Sequence, residues 1–174
     1  YVSYGATILF MLFFLHGAEV SEIIAAITAF SPPLWVYRAG FFSAAGVLLL
    51  SLLLNIPRDE WLRRLPFELL LLGVFYLVFA NASLIWAFAI YFILWHSIPS
   101  LMDQISMLYG RYTLKNGMKY LRNSAVYWVA AMLSLVVAFF IFREGDSGFL
   151  PLFFSFLAAI TFPHVLVIGR MYRT

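Results

Sequence analysis

Apolar runs of membrane-crossing length follow one another along nearly the whole chain, and that leaves few folds open. A helix needs ~20 residues to cross the hydrocarbon core of a bilayer. About six stretches approach that length: 4–30, 34–56, 67–80, 84–102, 125–142 and 149–168. With 64% hydrophobic and 11% charged residues, against roughly 25% charge in soluble domains, no room is left for a separate soluble domain. The expected fold class is therefore all-α: an integral membrane helical bundle of about six transmembrane helices, forming a single domain over 1–174. The chain opens on Tyr1 rather than methionine, so upstream N-terminal helices are expected to precede it.

The interruptions between runs carry the topology. The first run is broken by His16, Gly17, Glu19, Ser21 and Glu22 and ends at Ser31-Pro32-Pro33; the second carries Arg38 and ends at a charged turn, Pro57-Arg58-Asp59-Glu60. The third breaks at Asn81-Ala82-Ser83, with room only for a tight helical hairpin, and Arg143 to Gly148 is a short charged loop. Basic residues are retained on the cytoplasmic side. Arg58, Arg63, Arg64, Arg111, Lys115, Lys119, Arg122, Arg170 and Arg173 all fall on one side of a six-helix alternation, leaving Arg38 and Arg143 on the other. This places both termini in the cytoplasm, in a bacterial inner membrane. In the basic connection between Asp103 and Ser124, Leu114, Met118 and Leu121 recur at helical spacing beside Lys115, Lys119 and Arg122. Two readings stand side by side: an amphipathic helix lying on the anionic leaflet, or a solvated loop. The patch is too short and too close to the bilayer for a nucleic-acid role.

The chain has three histidines, His16, His96 and His164, and each lies inside an apolar run. An ionisable side chain within a membrane is expensive, and its default reading is a functional site. At ~1.5 Å per residue from the outer ends at Phe30, Leu84 and Phe149, the three lie roughly 18 to 23 Å in and share one layer. A single intramembrane histidine is most readily an interhelical hydrogen-bonding residue; three at matching depth favour a metal or cofactor held between helices. The absence of cysteine excludes thiolate sites, leaving His, Asp and Glu as donors. Pro99 and Pro163 each remove a backbone donor beside a histidine, so kinks are expected at His96 and His164. Glu19 shares a helix face with His16, three residues on, and Glu22 extends that face; a carboxylate there would fix the imidazole or join the coordination shell. Ser100 and Asp103 continue the face of His96, with Asp103 nearer the headgroups. The aromatics Trp86, Tyr91, Phe92, Trp95, Tyr127 and Trp128 are mostly lipid-facing packing, with a minority lining an apolar tunnel. Two other functions fit intramembrane histidines: a haem-binding electron-transfer protein and a proton-coupled transporter. A retinal-binding pump does not, because the only lysines, Lys115 and Lys119, lie outside the bundle.

The run Tyr91-Phe92-Ile93-Leu94-Trp95-His96-Ser97, continuing through Pro99-Ser100, resembles the His-Ser signature of the Brp/Blh family of beta-carotene 15,15'-dioxygenases. Thr161-Phe162-Pro163-His164-Val165-Leu166-Val167 is similar to the family's C-terminal Pro-His motif, and His16-Gly17-Ala18-Glu19 resembles either of two upstream motifs, His-Gly-Ala-x-Asp or, as favoured here, His-Phe-Gly-Glu. Ser100 stands where many members carry a second histidine. The resemblance implies a membrane-embedded enzyme that uses non-haem Fe(II) and dioxygen to split beta-carotene into two retinals. It further implies His16, His96 and His164 as iron ligands, Glu19 as a further ligand or the partner of one, and Tyr91, Phe92 and Trp95 along the substrate.

Overall fold

In the computed structural model the backbone is described over 2–55, 58–142 and 148–171, and the side chains over 3–54, 65–142 and 148–162. Among the described residues every element of secondary structure is helical: α1 (Val2–Leu15), α2 (Gly17–Thr28), α3 (Leu34–Asn55), α4 (Arg58–Asn81), α5 (Leu84–Ile90), a π-helical segment (Tyr91–Ser97), α6 (Ile98–Tyr109), α7 (Leu114–Phe142) and α8 (Phe149–Met171).

Among the described residues three helical stretches are long and apolar enough to cross a membrane: Leu34–Leu54, Leu84–Tyr109 and Leu114–Phe142. The pair Ser3–Leu15 and Gly17–Thr28 makes a fourth if taken as one broken span. The expected count of about six is not reached. The first run bends by 95° at His16, and the apolar parts of the third and sixth, Leu65–Asn81 and Phe149–Phe162, are shorter. Val126, Tyr127 and Trp128 on α7 are 74%, 78% and 66% exposed, an apolar surface far larger than a water-facing protein leaves open, and one suited to lipid.

The chain divides into two compact units, 1–22 with 31–103 and 23–30 with 104–174. In the first, α1 packs mainly along α3 and also meets α4 and α5. Its core is Ile8, Met11 and Leu12 from α1, Tyr37 from α3, Phe75 and Phe79 from α4, and Leu84 and Ala87 from α5. The α1–α3 seam is aromatic: Phe14 stacks on Phe41 at 5.6 Å, and Phe13 meets Tyr37 edge-on at 6.1 Å. Gly40 lets the seam close, since a Cβ there would overlap the Phe10 ring. Gly40→Ala is therefore expected to cost about 1–3 kcal/mol, the usual range for overpacking, read as a lower unfolding midpoint in detergent; an unchanged midpoint would show that Phe10 swings aside freely.

The 95° corner is held by similarly specific contacts. A Cβ at Gly17 would sit 3.1 Å from Leu34 and 3.2 Å from Tyr37, so the glycine allows the corner to approach the start of α3. The Ser21 hydroxyl donates to the Pro32 carbonyl at 3.0 Å and therefore accepts from the Tyr37 hydroxyl, also at 3.0 Å.

In the second unit the basic connection is neither a loop nor a separate surface helix. It forms the first turns of α7, continuous with the span, where sequence periodicity alone left both readings open. Thr113 caps α7, its Oγ1 accepting from the Asn116 N–H at 3.2 Å, and Gly110 turns the chain with φ +84°. The Asn116 amide donates to the Arg111 carbonyl at 2.9 Å, Asn123 donates to the Tyr109 hydroxyl at 3.2 Å, and Tyr120 donates to Gln104 at 3.0 Å. α4 also departs from expectation, starting at Arg58 rather than Phe67: the expected charged turn is its first turn, and Pro66 lies inside it.

Candidate functional site

His16 is the corner residue between α1 and α2, and its ring is only 11% exposed. Its Nε2 lies 2.9 Å from the carbonyl oxygen of Phe79. Phe79 stands two residues before the end of α4, where the last four carbonyls of a helix lack an intrahelical donor. The residue that would supply it, Ser83, has left the helix. A carbonyl can only accept, so Nε2 carries the proton, and the lone pair of the neutral ring is at Nδ1. Nδ1 lies 3.5 Å from Oε1 of Glu19, whose side chain is 52% exposed. A backbone carbonyl holding one ring nitrogen and leaving the other free is the arrangement that orients metal-binding histidines.

The same bond also caps α4, and the two roles separate by substitution. His16→Ala leaves a buried carbonyl without its donor and is expected to cost about 1–3 kcal/mol. His16→Gln, which offers an N–H at similar reach, is expected to recover most of that loss. Equal unfolding midpoints for the alanine variant and the parent protein would remove the capping role.

His96 lies in the π-helical segment, where the N–H of Ile98 bonds back to the carbonyl of Ile93. A widened turn thus stands at His96, where a kink is expected, and ends just before Pro99. π-segments inside α-helices are often found at functional sites because the extra residue re-aims its neighbours. Here it lies in a ladder that leads from two half-buried rings to the exposed imidazole. Phe88 stacks on Phe92 at 5.3 Å with ring planes 16° apart, and Phe92 meets the His96 ring at 5.5 Å.

The three aromatics expected to line a substrate therefore divide. Phe92 sits beside His96, whereas Tyr91 and Trp95 pack edge-on against Phe75 at 5.8 and 5.3 Å. Phe88 was not singled out by sequence, although an aromatic four residues before Phe92 was the available signal.

The bend at His16 removes the measure on which the expected histidine layer rested. The 95° bend means that distance from Phe30 does not measure the depth of His16. His16 sits at Phe79, while Trp95, next to His96, packs on Phe75 one turn away along α4. Among the described residues no three of His, Asp and Glu form a metal-binding group. His164 lies on α8, which continues through Pro163 as one helix; its side chain is outside the described residues. Asp103 is exposed on α6, and α2 buries Val20, Ser21 and Ile23 while turning Glu19 and Glu22 outward. One polar pair escaped sequence reading altogether: the buried Tyr4 hydroxyl of α1 faces the Glu68 carboxylate of α4 without closing a hydrogen bond to it.

The comparisons with known proteins give one match. Residues 1–172 fit the family model described as beta-carotene 15,15'-dioxygenase. Neither a curated protein nor a solved structure matches the chain.

Proposed function

Because this chain belongs to the beta-carotene 15,15'-dioxygenase family, we propose that it is a membrane-embedded non-haem iron enzyme that cleaves beta-carotene at its central double bond into two retinals. Family membership makes it a carotenoid dioxygenase; the iron, the bond cleaved and the residue roles are our reading. The observation that carries the reading is the His16 hydrogen bond to Phe79, which leaves Nδ1 beside a carboxylate. A neutral imidazole nitrogen with a carboxylate oxygen is a donor set that suits ferrous iron. We assign His16, His96 and His164 as ligands, with Glu19 as a further ligand or the partner of His16. Geometry supports the first and last of these, and the family motifs support the other two.

Ferrous iron, when bound, supplies the dioxygen chemistry that no side chain can perform. The chain's own residues do the rest. The Phe79 carbonyl holds the His16 ring in one tautomer. Phe88 and Phe92 offer their faces to a conjugated polyene and lead it towards His96, and the apolar helices keep water from the reacting carbons. A substrate dissolved in lipid never has to enter water to reach a site on this surface. Orientation with both termini in the cytoplasm of a bacterial inner membrane follows from the basic residues and belongs to the same proposal.

The test is expression of the full-length protein in bacteria that already make beta-carotene. Retinal appearing as carotene disappears, together with iron in the purified protein, is expected; intact carotene beside well-inserted, iron-loaded protein would overturn the proposal. An aromatic contact is worth about 0.5–1.5 kcal/mol beyond its area. Phe88→Ala and Phe92→Ala are each expected to raise KM about three- to tenfold, measured on carotene in mixed micelles.

A further inference from the structure

The first three turns of α7 carry charge of one sign only. Arg111, Lys115, Lys119 and Arg122 are exposed, and no acidic residue occurs anywhere from Gln104 to Phe142. Lys115, Lys119 and Arg122 are spaced four and three residues apart, so they line one face of the helix. Leu114, Met118 and Leu121 form a second stripe about 100° round the helix from the first, 85%, 68% and 56% exposed.

The position of these stripes relative to a bilayer follows from length. The apolar part of α7, 125–142, spans about 27 Å at 1.5 Å per residue, close to the ~30 Å hydrocarbon core. Residues 114–124 therefore leave the hydrocarbon core through the headgroup zone, with Arg122 about one turn and Lys115 about three turns from the hydrocarbon edge. The platform is fixed. Asn116 and Asn123 tie α7 to Arg111 and Tyr109, and the Lys119 ammonium lies 4.9 Å from the Tyr109 ring centroid. The cations are thus presented by a braced elbow rather than by a tether.

We propose that the α6–α7 elbow is a binding site for anionic phospholipid, its basic stripe holding headgroup phosphates while Leu121, the nearest of the apolar stripe to the hydrocarbon, rests against the upper acyl chains. This rests on reading α7 as a membrane span and is independent of the chemistry assigned to the histidines. Each basic side chain near an anionic surface strengthens the attraction about fivefold, so charge complementarity selects this occupant over a neutral lipid.

The test is native mass spectrometry of the full chain, released from nanodiscs made of three parts phosphatidylcholine to one part phosphatidylglycerol. The parent protein is expected to retain phosphatidylglycerol over phosphatidylcholine at a ratio at least about fivefold above the bulk ratio. The R111Q/K115Q/K119Q/R122Q variant is expected to fall to the bulk share, while Arg38→Gln keeps the parent value. Equal enrichment in the parent and quadruple variant would overturn the site. A salt titration of the parent protein needs no variant to fold: enrichment should fade as the Debye length shrinks from about 10 Å at 0.1 M to 3 Å at 1 M. Persistence at high salt would overturn the electrostatic basis. Displacement of the lipid by millimolar inorganic phosphate would point to a small-anion site and overturn the bilayer assignment, and displacement by polyglutamate would point instead to an acidic protein.

Discussion

The His96→Ala variant is expected to lose retinal formation by at least about 100-fold in carotene-making bacteria while inserting into the membrane as well as the parent protein. Removing a residue that only orients a metal ligand typically costs 10–100-fold, so removing a ligand should reach or pass the upper end. The ring is exposed and, among the described residues, its ring contact is with Phe92 at 5.5 Å, so its loss leaves the core of the first unit untouched. Retinal yield, iron content and unfolding midpoint should therefore separate, the first two falling and the third holding. Undiminished cleavage by this variant and by His164→Ala would sink the ligand assignment.

Deleting Ile93 is expected to be nearly as damaging, for a reason that lies in the backbone. A π-segment is one residue more than an α-helix needs between the same flanking turns, and Ile93 is 52% exposed, so its removal takes little from the core. The deletion should restore α-helical bonding from Ile90 to Ile98, with α5 and α6 keeping their contacts. Phe92 and His96 would then stand three residues apart instead of four, so the His96 ring would turn and shift along the helix relative to Phe92. At least about a tenfold loss of cleavage is expected, since misplacing a reacting group by as little as 1 Å can cost on the order of 100-fold. Circular dichroism and membrane insertion should not change, and Ile93→Ala, which keeps the residue count, should stay active. Full activity in the deletion variant would mean that the π-segment has no part in aiming His96.

Much of the helical layout was legible in the sequence, because apolar runs in lipid have little choice of backbone. The second run was placed almost to the residue, 34–56 against Leu34–Asn55, and the Asn81–Ser83 hairpin lies where the polar break stands. The span count was not legible. It depended on whether the first run stayed straight through His16, and the corner is decided by the fit of Gly17 against Leu34 and Tyr37, residues distant in sequence. The family motifs picked out His16, His96 and Glu19, and the structure places His16 and Glu19 side by side. What no pattern of side chains could reveal is the partner of His16, a backbone carbonyl 63 residues away, freed only because α4 ends where it does. The division of Tyr91, Phe92 and Trp95 between two surfaces was hidden for a related reason: it depends on the extra π residue, which shifts the helical phase that spacing arguments assume.

The Phe88–Phe92–His96 ladder runs from two half-buried rings to an exposed imidazole, and the proposal that it meets a substrate from the lipid has a kinetic consequence. A substrate that meets such a surface arrives by diffusion in the plane of the membrane, so the concentration the enzyme senses is moles of carotene per mole of lipid, not moles per litre. Diluting a fixed amount of protein and carotene with inert phospholipid should slow turnover, whereas diluting the same vesicles with buffer should leave it unchanged. Surface dilution, rather than volume, then governs how fast the chain can work, and a cell could regulate its output simply by changing how much membrane it makes.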